Sequence, residues 1–190
     1  MKHRTTVSVL LAVGAIAATS AALAADPLIV ARQKIFGIEN VDANTGAVKK
    51  DKVVFSWLSH ISGAVAVQGR VIMFDTYVNR LEVTPGRTPF VIKDLVDLKP
   101  EALFVGHGHS DHADNAAFIA AKTGAKLYMT PEACGTAQVA LTRMKNDPFM
   151  QADPFYAIPQ STTINCIPLT TAGSVPATEL VRITQLEPLA

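Results

Sequence analysis

The run Leu103-Phe104-Val105-Gly106-His107-Gly108-His109-Ser110-Asp111-His112 constrains this chain more than any other stretch. An apolar, strand-like segment leads into it and a helix-like segment follows, so four side chains able to hold a metal ion fall within six residues of one loop. Three of the five histidines of the sequence are here. In an extended loop, residues two apart project to the same side, which pairs His107 with His109. Asp111 and His112 turn back towards them as the helix begins. One short loop can thus present ligands to two adjacent cations; the plainer alternative is a polar loop at a helix entry.

A chain of 190 residues fits one domain, and 49% hydrophobic residues is ample for a packed core. Part of that apolar content sits at the N-terminus. Met1-Lys2-His3-Arg4 is a short basic start, Val7 to Ala18 is almost wholly apolar, and Ala22 and Ala24 lie two apart. This pattern reads as a secretory signal peptide over residues 1–24, cut after Ala24, which makes the mature protein periplasmic or secreted. An uncleaved membrane anchor is the alternative; the small residues and the A-x-A site disfavour it, so no stable membrane insertion is expected after cleavage. Loss of Lys2 and Arg4 leaves 15 basic against 16 acidic residues, a net charge of −1. A near-neutral chain without a basic run is a poor nucleic-acid binder. Cys134 and Cys166 would sit in an oxidising compartment. They are either buried free thiols or a disulfide closing a loop of about 33 residues, which would stabilise by about 3 to 4 kcal/mol.

After the leader, residues 25–52 form a lead-in of mixed polarity with a turn at Asp42-Ala43-Asn44-Thr45-Gly46. Val53 to Leu58, Ala64 to Val67 and Val71 to Phe74 are rich in β-branched and apolar residues and read as three strands, the last two a hairpin around Gln68-Gly69-Arg70. Pro85 to Pro89 is a loop, and Val91 to Leu98 a short helix ended by Pro100. Ala102 to Val105 is a buried strand that delivers the metal loop at its carboxyl end. Asp111 to Thr123 reads as one alanine-rich helix capped by Gly124, and Lys126 to Met129 as a strand. Thr130-Pro131 opens a helix running to about Lys145. Asp147 to Pro159 lacks a period and is expected as a loop over the site. Thr162 to Leu169 and Glu179 to Leu186 then read as strands joined by Ala172 to Pro176.

The pattern His107-x-His109-x-Asp111-His112 resembles the metal-binding motif of the metallo-β-lactamase superfamily. Trp57-Leu58-Ser59-His60 and Ile72-Met73-Phe74-Asp75-Thr76 are similar to its opening strands, although Ser59 stands where that subgroup usually has Gly. The resemblance implies an α/β (α+β) chain built as an αβ/βα four-layer sandwich, with residues 53–190 as the domain. It also implies two zinc ions, with His107 and His109 serving the first and Asp111 and His112 the second. Asp75 would be a carboxylate that orients the loop without touching metal. A turn-capping Asp is the alternative. His60 is equally an active-site wall or a structural residue. Asp111 would orient a metal-activated water attacking an ester, lactam, thioester or phosphoester of a small-molecule substrate. Iron-based redox members typically carry Glu where His109 stands, which disfavours that branch.

Members of the family place further ligands downstream, yet this sequence has no histidine after His112. The resemblance thus covers the N-terminal half of such a domain. Two readings compete, an incomplete and inactive chain or a short descendant completed by pairing with another chain. Either leaves an apolar sheet face open to self-association. A non-catalytic exported metal-binding or scaffolding protein is the alternative from a different functional class.

Overall fold

The computed structural model describes residues 25–78 and 90–169, and the backbone of two strands at 173–176 and 182–185. The expected signal peptide over 1–24 and the expected loop at 85–89 lie outside these residues.

Three strands, β1 (Val53–Ser59), β2 (Ser62–Val67) and β3 (Arg70–Phe74), form where β-branched and apolar residues are concentrated and pair antiparallel, the last two as the expected hairpin. Gln68 and Gly69, both at positive φ, make the two-residue turn of the second hairpin. From β3 the sheet continues in parallel through β4 (Ala102–Phe104), β5 (Lys126–Met129) and β6 (Cys166–Pro168). The strand order is sequential, β1 to β6. Parallel neighbours need a crossover, and helices α2 (Ile92–Asp97) and α4 (Ala116–Thr123) lie in the first two. Helix α5 (Pro131–Asn146) lies in the third. The fold is mixed α/β, as expected.

Register divides the sheet into two faces. Leu58, Ala64, Ala66, Met73, Leu103 and Leu127 share the main core with Leu95 of α2, Ile119 of α4 and Leu141 of α5. On the opposite face lie Ile72, Ala102 and Tyr128, flanked by Val65, Phe104 and Ile167. Along β1 that second face is open: Val53, Phe55 and Trp57 are 70%, 64% and 52% exposed. Strands of one buried face leave alternate residues to solvent, and here those alternate residues are apolar.

Local structure departs from expectation in four places. The lead-in holds a helix, α1 (Pro27–Phe36), capped by Asp26, whose side chain accepts from the Leu28 N–H, with Pro27 at its first position. Ile35 and Phe36 of α1 join Val41 and Val48 in the main core. The helix expected over 111–123 is broken into α3 (Ser110–Ala113) and α4, because Asn115 takes a left-handed backbone (φ 73°) that Asn tolerates better than most residues. The segment after α5 holds helix α6 (Pro148–Ala152), whose cap Asp147 accepts from Phe149 and Met150. Gly173–Pro176, expected as a joining loop, is itself a strand, β7, paired antiparallel with β8 (Arg182–Gln185).

Cys134 of α5 and Cys166 of β6 form a disulfide, which decides between the two states open in the sequence. It ties the helix to the last strand of the main sheet.

Candidate metal centre

Three adjacent strand ends build the site. The β2 and β3 strands run antiparallel, so the β1–β2 turn at His60-Ile61 lies at the same end of the sheet as the carboxyl end of β3. Asp75 follows β3 and the loop 105–109 follows β4, which is parallel to it. The backbone joins these ends, since Asp75 N–H donates to Phe104 O at 2.8 Å and Thr76 N–H to His112 O at 2.8 Å. Thr76, fully buried, adds a bond from its hydroxyl to Asp114 O at 2.7 Å. Asn115 Nδ2 in turn donates to Thr76 O at 3.2 Å. The segment after β3 thereby fixes both the metal loop and the break between α3 and α4.

Within this frame His107, Asp111 and His112 each offer one ligand atom, all within 4.8 Å of one another. The rings of His107 and His112 lie 3.8 Å apart between centroids. His109 falls outside that group of three, but its ring meets the edge of His107 at 4.5 Å. It also precedes α3, and its carbonyl accepts from Ala113 N–H at 2.8 Å.

Asp75 is buried at 6% exposure with both carboxylate oxygens occupied. Oδ1 accepts from the Gly106 N–H at 2.8 Å, and Oδ2 lies 2.9 Å from His112 Nδ1. A carboxylate can only accept, so the bond places a proton on His112 Nδ1, and in the neutral tautomer that this fixes, Nε2 carries the lone pair. That nitrogen is 3.6 Å from Asp111 Oδ2. His60 Nε2 approaches the same oxygen at 3.4 Å. The His60 backbone is left-handed (φ 47°), and the Trp57 indole N–H holds its carbonyl at 2.7 Å. Tyr77 meets the His60 ring edge-on at 6.0 Å.

Desolvation pushes the Asp111 carboxyl upward, but its own backbone N–H and the imidazoles of His112, His60 and His107 outweigh this and hold it below the usual carboxylate range. The site therefore presents an ionised carboxylate beside imidazoles. Imidazole and carboxylate donors suit a zinc-like divalent ion, and a histidine whose far nitrogen is held by a carboxylate is the usual partner of such an ion. The residues present fit a metal.

Sequence reasoning did not single out Thr76, Tyr77 or Asn115. Asn115 left a trace, since an Asp-Asn pair inside an alanine-rich run favours a break. Thr76 closes the run Ile72-Met73-Phe74-Asp75-Thr76 with no role of its own there and Tyr77 left no trace, because their roles depend on what the fold brings beside them.

No family model matches the chain, and no curated protein matches it. Among solved structures, one described as Igni18, a novel metallo hydrolase from the hyperthermophilic archaeon Ignicoccus hospitalis, is similar at 22% identity and a TM-score of 0.43. The match covers 65% of this chain and 42% of that one, so this chain spans less than half of its length. At that level the likeness carries no argument about activity. What stands is a mixed α/β fold with a His-Asp-His cluster able to hold a metal ion at three converging strand ends.

Proposed function

We propose that this site belongs to a zinc-dependent hydrolase of the metallo-β-lactamase kind, acting on an ester, lactam, thioester or phosphoester of a small molecule. The observation that carries the reading is the His112 arrangement: Asp75 holds Nδ1 at 2.9 Å, which leaves Nε2 for a metal within the His107-Asp111-His112 cluster. His107, His109 and His112 would hold zinc through imidazole nitrogens and Asp111 through its carboxylate. When bound, zinc lowers the pKa of water towards about 7 and polarises a carbonyl or phosphoryl oxygen. Asp111, kept ionised, accepts a hydrogen bond from the attacking water and orients it. His60 steadies the Asp111 oxygen it faces, and Asp75 fixes the tautomer of His112.

A second reading has its own support. A catalytic zinc normally takes three protein ligands. Divided between two ions, His107, His109, Asp111 and His112 by themselves give each ion fewer than that, which supports weak zinc binding by these four side chains. On this reading it is a non-catalytic, exported metal-binding protein. Export rests on the N-terminal pattern, with cleavage after Ala24; N-terminal sequencing of exported protein that returns Met1 would remove it. Self-association through the open face of β1 completes the proposal.

The test is a zinc titration of the full chain against a chromophoric chelator, repeated with H107A, H112A and D111N, followed by a panel of the four substrate classes. Weaker binding in all three variants supports the site. Unchanged binding in all three would place any zinc elsewhere and overturn the proposal. Zinc bound at the site without turnover selects the non-catalytic reading for this chain.

A further inference from the structure

Behind the metal loop the described residues form a second feature, a cavity of about 420 Å³ between α4, α5 and α6 that opens to solvent on one side. We propose that it binds an aliphatic chain carrying an uncharged polar head.

The void has a local cause. Ala113 and Ala117 on one side face a lining of Ala137 and Ala140 from α5, and methyl side chains cannot fill the space that leucines would. Phe118, Thr136 and Tyr156 also line the cavity, as do Met129, Met144 and Met150. Their unbranched thioethers adapt to a flexible guest better than branched side chains would. The part lined by alanine and methionine holds water poorly, since its side chains offer no strong hydrogen-bonding partners. With about 30 Å³ for a water-sized group, the volume accommodates on the order of ten methylenes.

The mouth decides the head group. Gly108, Ser110 and Asp114 line the cavity, are exposed, and belong to the metal loop and the end of α3. A Cβ at Gly108 would meet Ala133 Cβ at 3.4 Å, so the loop rests on α5 at this point. Among the lining residues Asp114 is the one with a charge, and a carboxylate head would be repelled there. Ser110 and Asn115 suit an alcohol, ester or lactone oxygen. If the metal reading holds, such a head sits beside His109 and the substrate class narrows to long-chain esters or lactones; that extension alone rests on the proposed function.

Three of the five methionines line the cavity, which gives a site-specific probe. The full chain, labelled with methyl-13C methionine and kept in chelator, is titrated with 1-hexanol, 1-octanol and 1-decanol. Chelator makes the outcome independent of metal. The Met129, Met144 and Met150 methyl signals should shift saturably while Met73, a fully buried residue of β3 outside the cavity lining, stays put. The dissociation constant should fall about fourfold per added methylene until the cavity is full. Decanoate should bind at least tenfold more weakly than decanol. A137L and A140L should each weaken decanol at least tenfold with the Met73 signal unchanged; if neither folds, the wild-type chain-length series decides. Absent shifts, shifts that include Met73, no dependence on chain length, or 2-naphthol binding more tightly than decanol would each overturn the proposal. So would decanoate binding as well as decanol.

Discussion

Replacing Asp75 separates what the carboxylate does for stability from what it does for a metal. The side chain is buried and accepts from the Gly106 N–H at 2.8 Å and from His112 Nδ1 at 2.9 Å. In Asp75→Ala both donors lose their acceptor inside the protein. Each orphaned donor costs about 1 to 3 kcal/mol, and breaking a buried pair by removing one partner about 3 to 5 kcal/mol. Asp75 also has a left-handed backbone (φ 52°), where Ala adds about 1 kcal/mol of strain that Asn largely avoids. We expect D75A to lose about 3 to 5 kcal/mol, a large fraction of a typical total of about 5 to 15 kcal/mol. Asp75→Asn behaves differently. Its amide oxygen still accepts from Gly106, but its NH2 now faces Nδ1 and forces the proton of His112 onto Nε2, the nitrogen a metal would take. D75N should therefore lose only about 1 kcal/mol while zinc affinity falls about 10- to 100-fold. Urea unfolding in chelator reads the first quantity and competition against a chromophoric chelator the second. D75N binding zinc as tightly as wild type, or D75A losing under about 1 kcal/mol, would refute the reasoning.

Reducing the Cys134–Cys166 disulfide, whose sequence separation is 32 residues, should destabilise by about 3 to 4 kcal/mol, read as a lower urea midpoint with reductant or in C134S/C166S. An unchanged midpoint would mean that the cross-link does not restrict the unfolded chain. The Ser62 hydroxyl is buried without a hydrogen-bond partner among the described residues. S62A should thus be neutral or more stable by up to about 1 kcal/mol, and a loss above that by thermal unfolding would reveal a partner for the hydroxyl. The Thr45 hydroxyl and the Thr45 and Asn44 N–H groups hold the Asp42 carboxyl below its usual range. A depressed folded-state pKa stabilises above the unfolded-state pKa, and that contribution is lost as pH falls through the folded value. Wild type should therefore exceed D42N in stability at pH 6, and the gap should close in acid; a gap that widens below pH 4 would reverse the sign.

Much of this protein is local and was legible without coordinates. The β-branched and apolar runs of Val53–Ser59 and Arg70–Phe74, the Thr130-Pro131 helix start and the crowding of His107, His109, Asp111 and His112 each depend on neighbours a few residues away. Periodicity and capping chemistry act over that range, so they survive being read in one dimension. The α1 helix was missed although Asp26-Pro27 is a sound start, because the low amphipathicity of Pro27–Phe36 hides its period and its buried Ile35 and Phe36 need the core to hold them.

Tertiary structure decided the rest. Asp75 and His112 are 37 residues apart in sequence, and only the parallel pairing of β3 with β4 brings that carboxylate to that imidazole. His109 shows the same limit: its ring lies 4.5 Å from that of His107, yet it falls outside the group formed by His107, Asp111 and His112, although the motif places all four together. Whether two cysteines pair depends on α5 folding back over β6, and whether facing alanines leave a cavity depends on helix spacing. The sequence determined which ligand types were available and on which short segments, since that is set by local chemistry. Strand order and helix packing alone determined which of them meet, because contacts between distant residues depend on the cooperative choice of the whole fold.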